Sequence, residues 1–280
     1  MKVAYIGLGS MGGDQVKQIA KSDLDLCVYD VSEKARAIFA EITQVADSAA
    51  DAVANADAIH ICVRDSDQVN DVLFGSGKVV EFAKRGAVVA IHSTIAAKDV
   101  ELLSARLADS GLTVCDSPVT RTTMDASGRF VMTMVGGTSD SVERIKPVLN
   151  TYSTDIIHVG QPGAAAALKM ANNMMTWTQI VVGYLTWQLS EAYGVSFEHL
   201  KKVTKANGNL TMVTEAFLSG AADESTLKNP DHFAFLESQA GIGNKDLQLA
   251  IAAGSSAELD MRMIEIAQQL LPEAMLGKKG

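Results

Sequence analysis

Lys169 and Asn173 stand four residues apart in the segment Gly160-Gln161-Pro162-Gly163-Ala164-Ala165-Ala166-Ala167-Leu168-Lys169-Met170-Ala171-Asn172-Asn173. In a helix that spacing puts both side chains on one face. A lysine whose ammonium is desolvated loses its proton more readily and becomes an acid or base usable near neutral pH. A carboxamide one turn away can hold the lysine, or a substrate oxygen, by hydrogen bonds. The turn of alanines before the pair would let a ligand approach closely. A helix-end lysine that snorkels to solvent has the same spacing, so the pair alone leaves both readings open.

The other chemistry-bearing stretch opens the chain. Val3 to Ile6 is a short apolar run that enters Gly7-Leu8-Gly9-Ser10-Met11-Gly12, and a helical pattern with Val16 and Ile19 follows. Strand, glycine turn and helix in that order match the dinucleotide-binding fingerprint. Gly7 would permit the tight turn, Gly9 would let backbone approach a pyrophosphate, and Gly12 would let the helix pack on the strand. The helix N-terminus would then direct N–H groups and partial positive charge at the diphosphate. Asp30 closes the next apolar run, Leu24 to Tyr29. A carboxylate there accepts the ribose hydroxyls of NAD and repels the 2′-phosphate of NADP, so the expected cofactor is NAD in preference to NADP.

These groups need elements to position them. From residue 1 to about 160, β-like runs at 2–6, 24–30, 58–63, 87–92, 112–115, 131–135 and 156–159 alternate with helical patterns such as Ser48 to Ala54 and Ala97 to Ser110. That alternation predicts an α/β class, with a doubly wound, mostly parallel sheet covered on both faces. After Gly160 the β-like runs stop. A helix from about 163 to 193 would span about 45 Å. Lys169, Asn172, Asn173, Gln179 and Gln188 interrupt its apolar character, so a helix joining two domains is expected rather than a membrane span. The remainder to about 276 reads as helical, with a loop-like stretch from Asn229 to Asn244. The expected domains are 1–162, for the dinucleotide, and 163–280, all-helical.

The chain of 280 residues carries 24 basic and 33 acidic residues, a net charge of −9. There is no basic surplus to neutralise nucleic-acid phosphates or an anionic membrane. Cys27, Cys62 and Cys115 lie in separate apolar runs without paired spacing, as buried thiols do in a reducing compartment. A cytoplasmic protein is expected. The five histidines, among them His60 and His92, show no metal-ligand spacing, and no metal is expected. His92 ends a strand at the cofactor end, where it would act behind the site. Trp177 and Trp187 would serve the core or an oligomer contact.

Five ordered motifs together make the chain resemble the β-hydroxyacid dehydrogenase family over nearly its whole length. They are Gly7 to Gly12; His92-Ser93-Thr94; Asp116-Ser117-Pro118-Val119 with Met134-Val135-Gly136-Gly137; the Gly160 to Asn173 segment; and Lys245-Asp246-Leu247-Gln248-Leu249-Ala250. The resemblance implies a Rossmann domain, a long interdomain helix and an all-helical second domain. It implies hydride transfer between NAD and a small 3-hydroxy acid or anionic analogue, with Lys169 as acid/base and Asn173 as its partner. Thr94 would lie on the nicotinamide side, Val63 and Arg64 beside the cofactor loop, and Lys245 along the cofactor site. Ser117, Thr120, Arg121 and Thr122 would hold the substrate's anionic end, and a homodimer or homotetramer would be the working form.

Departures from the family pattern bear on the substrate. Thr120-Arg121-Thr122-Thr123 replaces the common Ser-Gly-Gly, so a guanidinium fork enters where the usual loop has no side chain. Sulfolactaldehyde reductases have a similar Gly-Arg-Thr-Ser loop. Gly128-Arg129-Phe130, Arg64-Asp65, Ala165 and the glycine-rich Gly241 to Asn244 also depart. Two rival readings share the architecture. An imine reductase would ordinarily lack the helix lysine, and a non-catalytic NAD-binding regulator would not need the Lys169/Asn173 pair.

Overall fold

The computed structural model describes residues 1–222 and 228–277. The chain divides into two compact units, Met1–Lys169 and Met170–Gly280.

The first unit is built on one sheet. Its strands are β1 (Lys2–Ile6), β2 (Asp25–Tyr29), β3 (Gln44–Val45), β4 (Ala58–Ile61), β5 (Val88–Ile91), β6 (Thr113–Asp116), β7 (Val119–Arg121), β8 (Val131–Gly136) and β9 (Ser153–Gly160). The order is β3-β2-β1-β4-β5-β6-β8-β7, with β9 paired to β8. β1 to β6 run parallel; β8 is antiparallel to β6 and β7 and parallel to β9. The helices are α1 (Ser10–Ile19), α2 (Glu33–Phe39), α3 (Ala49–Val53), α4 (Ser66–Phe74), α5 (Val79–Phe82), α6 (Ala97–Ala108) and α7 (Ser139–Leu149).

Side-chain alternation sorts each strand between two cores. Ala4, Ile6, Ile59, Ile61, Val89 and Ile91 pack under α3 to α6. Val3, Tyr5, Leu26, Val28, Val88 and Ala90 pack under α1, α2 and α7. Burial on both faces is why these strands read as continuous apolar runs. The strand order reverses between β1 and β4, and in such sheets ligands bind beyond the carboxyl ends of the strands at that reversal. β3 and β7 are too short for a sequence period and were not anticipated. β9 begins at Ser153 rather than near 156.

The second unit is helical: α8 (Ala164–Ala192), α9 (Phe197–Ala206), α10 (Met212–Ala222), α11 (Pro230–Ser256) and α12 (Arg262–Leu276). Residues 223–227 of the expected helical remainder lie outside the described residues. Trp177, Ile180, Tyr184, Leu236, Leu247 and Leu271 are among its core. No helix among the described residues is long and apolar enough to cross a membrane.

The stretch 229–244 is not loop-like; it opens α11. Asn229 caps that helix by accepting from the Asp231 and His232 N–H groups, and Pro230 occupies its first turn. Gly243, which had suggested looseness, is needed for packing. A Cβ there would lie 2.7 Å from Leu271 Cδ2 and 2.8 Å from Trp177 Cδ2. The two compact units divide within α8, after Lys169. The first turn of α8 belongs with the first unit because Ala166 is part of that unit's core. Of the alanines before Lys169, Ala165 and Ala166 are buried in packing, Ala164 is half-buried and Ala167 is exposed.

Candidate active site

The glycine loop meets each mechanical requirement. Gly7 has φ +98°, and a Cβ there would fall 2.2 Å from the Cys62 carbonyl oxygen. A Cβ on Gly12 would fall 2.1 Å from the Gly7 oxygen, so only glycine lets α1 close onto the turn. Gly9 has nothing within 4 Å of its missing Cβ. The backbone there is open to a pyrophosphate, as the fingerprint requires. Gly9 caps α1 without a side-chain hydrogen bond, so no side chain of its own competes with an anion for the first-turn N–H groups of Ser10, Met11 and Gly12. The residues present fit a dinucleotide.

Asp30 follows β2 and is tied into the same loop. Its Oδ2 accepts from the Leu8 N–H at 2.7 Å and its Oδ1 from the Ser32 N–H at 2.8 Å. Each carboxylate oxygen keeps a second lone pair for a ribose hydroxyl. At the neighbouring strand ends, the Ser93 hydroxyl accepts from the Val63 N–H at 2.9 Å. That bond joins the turn carrying Val63 and Arg64 to the turn carrying Thr94. Arg64 is exposed and Thr94 half-buried.

Beyond β6 the chain runs through Pro118 into β7, in the same antiparallel register against β8. Ser117 is fully buried, and its hydroxyl has no hydrogen-bond partner. Thr120 is half-buried. The Thr122 hydroxyl lies 3.2 Å from that of Thr154, which donates to the Val131 carbonyl, so it is engaged with β9. Arg121 is the last residue of β7. Its side chain is 54% exposed, its Nη2 lies 3.0 Å from Asp14 Oδ2, and it covers the Phe130 ring. An anionic substrate would have to compete with Asp14 for it. Arg129 is likewise engaged close by. Asp125 pairs with its Nε at 2.7 Å and accepts the Ser127 and Arg129 N–H groups, closing the turn between β7 and β8.

Lys169 lies in the second turn of α8, and the start of that helix is anchored by a residue not anticipated as functional. Asp116, at the end of β6, is 1% exposed. Its two oxygens accept from the N–H groups of Gly163, at 2.9 Å, and Ala166, at 2.7 Å. Burial pushes its carboxyl pKa up, and the helix N–H groups pull it back down. Both oxygens act as acceptors, the geometry of an ionised carboxylate at a helix N-terminus. The only sequence signal was the position of Asp116 in a motif.

Asn173, one turn further along α8, is 9% exposed. Its Nδ2 donates to Asp246 Oδ2 at 2.6 Å, and its Oδ1 accepts from Asn172 at 3.1 Å. Trp177 Nε1 donates to the same Asp246 oxygen at 3.3 Å. Lys245 Nζ lies 3.4 Å from Asp246 Oδ1. A buried carboxylate therefore fixes the orientation of the Asn173 amide. Sequence reasoning noticed Lys245 and passed over its neighbour, which accepts from both Asn173 and Trp177.

The sequence model of the NAD-binding domain of 6-phosphogluconate dehydrogenase matches residues 2–160. An uncharacterised oxidoreductase of Mycobacterium tuberculosis is 32% identical over 96% of this chain and 92% of its own length. The chain belongs to the β-hydroxyacid dehydrogenase family. The 3-sulfolactaldehyde reductase of Escherichia coli is 26% identical over 99% of this chain and 91% of its own. A crystal structure of 3-hydroxyisobutyrate dehydrogenase from Salmonella typhimurium has the same fold, with a TM-score of 0.82, 23% identity, and coverage of 97% of this chain and 93% of that one. The family consists of oxidoreductases acting on CH–OH groups with a nicotinamide dinucleotide. The Rossmann sheet and the helical second unit agree with that membership.

Proposed function

We propose that this chain interconverts a small 3-hydroxy acid, or an analogue with another anionic group, and its aldehyde or ketone. NAD is the preferred cofactor. The bound nicotinamide supplies or receives the hydride. Lys169 exchanges the proton of the substrate oxygen, and Asn173 helps to orient it. Thr120 and the backbone of its loop take the anionic end; Arg121 and Thr122 contribute when released from Asp14 and Thr154. Ser117 closes the base of that loop. Val63, Arg64 and Thr94 flank the cofactor, and Lys245 adds a cation to its binding.

One observation carries the reading. Asp116 fastens the start of the lysine-bearing helix to the carboxyl end of β6, the same edge of the sheet on which the glycine loop and Asp30 stand. That anchoring supports Lys169 as the proton-exchanging group, since doubly wound folds bind ligands at this end of the sheet. Asp30 supports NAD over NADP, because a 2′-phosphate beside it meets like charge. Self-association as a homodimer or homotetramer is supported by the apolar side chains α8 leaves exposed: Met175, Val182, Leu185 and Leu189. The three free cysteines accord with a cytoplasmic setting.

The test is a panel of 3-hydroxy acids, 3-hydroxy amino acids and hydroxysulfonates, followed by NADH absorbance. Turnover of at least one member with NAD is expected. Activity on cyclic imines alone would instead assign an imine reductase. NADH binding without turnover of any member would assign a regulatory role.

A further inference from the structure

Two histidines lie inside the sheet face that packs on α1 and α7. His60, on β4, and His92, just past β5, are 0% and 4% exposed. Their rings stack with Tyr5 of β1. Centroids are 5.8 Å apart for Tyr5 and His60 and 5.2 Å for the two histidines, with interplanar angles of 11° and 12°. His92 Nδ1 is 2.7 Å from the Ser117 carbonyl oxygen, and His92 Nε2 is 2.9 Å from His60 Nδ1.

These two contacts dictate both tautomers. A carbonyl oxygen only accepts, so His92 Nδ1 carries a proton. Burial disfavours the charged ring, pulling His60 well below the ordinary imidazole range and His92 down to about 4. A neutral ring has one N–H, so His92 Nε2 is an acceptor and His60 Nδ1 must donate to it. His60 Nε2 is then a bare lone pair, and it is a buried ring nitrogen without a hydrogen-bond partner.

The chain at Ser117 needs such a fixture. Its N–H donates to the Ile91 carbonyl at 2.7 Å, the last step of the parallel β5–β6 ladder. Pro118 next has no N–H, and the chain runs on against β8 in one antiparallel register, from Asp116 opposite Gly136 to Thr120 opposite Met132. The Ser117 carbonyl is thus the last group through which the parallel part of the sheet can hold the start of β7, and it is held by an imidazole. We propose that the His60–His92 pair is a positioning device for that loop: His60 sets the tautomer of His92, and His92 pins the Ser117 carbonyl and so the placing of Thr120. The proposal rests on the reading of Thr120 as an anion-side group.

Three measurements test it. Long-range proton–nitrogen NMR on histidine-labelled protein at pH 7.5 should show His60 and His92 neutral with the proton on Nδ1, the minor form of free histidine. An Nε2–H tautomer at His92 would overturn the proposal. With the panel substrate that the parent turns over best, His92→Phe should raise KM about tenfold or more. kcat and the NADH dissociation constant should stay within about threefold. His92→Asn, whose amide can replace the Nδ1 donor, should recover most of the loss. An unchanged KM in a folded His92→Phe protein, or no recovery with asparagine, would overturn it. If His92→Phe does not fold, His92→Asn must retain a near-parental KM. Hydrogen exchange of residues 117–122 should rise in the phenylalanine variant and return to parental in the asparagine one. A parent inactive on the whole panel refutes the proposed function; the tautomers and the loop exchange then decide this proposal by themselves.

Discussion

Replacing Asp116 by alanine removes the carboxylate that joins β6 to the start of α8. Two buried N–H groups, of Gly163 and Ala166, lose acceptors at 2.9 and 2.7 Å. Hydrogen bonds to a charged group contribute about 1.5–3 kcal/mol each, so the gross loss is about 3–6 kcal/mol. Relief of the carboxylate's own desolvation returns part of this, leaving about 3 kcal/mol. For a chain of this size that lowers Tm by roughly 6–12 °C. Asp116→Asn keeps one acceptor but turns an NH2 toward the other N–H, and should lose about 2 kcal/mol. Lys169 lies just beyond this anchor, and a shift of about 1 Å in a reacting group can lower turnover about 10²-fold. kcat should therefore fall further than NADH affinity in both variants. The pH dependence has a definite sign. Folding raises the Asp116 pKa, so the proton-linked part of stability is fully present below the unfolded value of about 3.9 and is lost as pH rises through the folded value, while the hydrogen bonds that anchor the helix persist above it. Thermal melts by circular dichroism, with NADH titration and steady-state kinetics, measure all of these. A stability change under about 1 kcal/mol in Asp116→Ala with unaltered kcat would show that the anchor does not position the helix.

Three further outcomes are expected. Lys169→Ala should lower kcat by about 10² or more with NADH binding nearly unchanged, the scale of a lost general acid; turnover within a few-fold of the parent would remove Lys169 from the proton step. The parent should show a higher kcat/KM with NAD than with NADP, and Asp30→Ser should narrow the difference; an NADP-preferring parent would contradict the role given to Asp30. An unfolded imidazole binds a proton near 6.5 but folded His92 only near about 4, so between those values the unfolded state holds the extra proton and stability climbs with pH. Over that window the difference is about 3 kcal/mol, with His60 adding in the same direction. Urea midpoints at pH 6.5 and 4.5 should therefore converge in His92→Asn relative to the parent, and identical acid sensitivity in both would exclude this linkage.

Local chemistry made the cofactor half of the protein legible in the sequence. Gly7, Gly9 and Gly12 act through what a Cβ would strike or leave open, and that constraint acts on single residues at fixed spacing. The buried parallel strands and the length of α8 were likewise readable, since each depends on an apolar run rather than on partners. Elements that depend on their neighbours were not readable. β7 exists because β8 offers it an antiparallel edge, and α11 keeps a glycine at 243 because Trp177 and Leu271 occupy the space that a side chain would need there.

The sequence by itself determined the class of chemistry: a dinucleotide loop, an acidic strand end and a lysine-bearing helix in one chain. Tertiary structure decided how the charged groups are used. Arg121, read from its loop as an anion holder, is half-exposed and paired with Asp14, a residue 107 positions away in the chain. Asp116 became a helix anchor, Asp246 an orienting carboxylate for Asn173, and His60 and His92 a neutral hydrogen-bonded pair. None of these follows from residue type or spacing. The partner of a charge or of an imidazole is set by which strand ends and helix starts the fold brings within about 3 Å, the range over which a hydrogen bond acts.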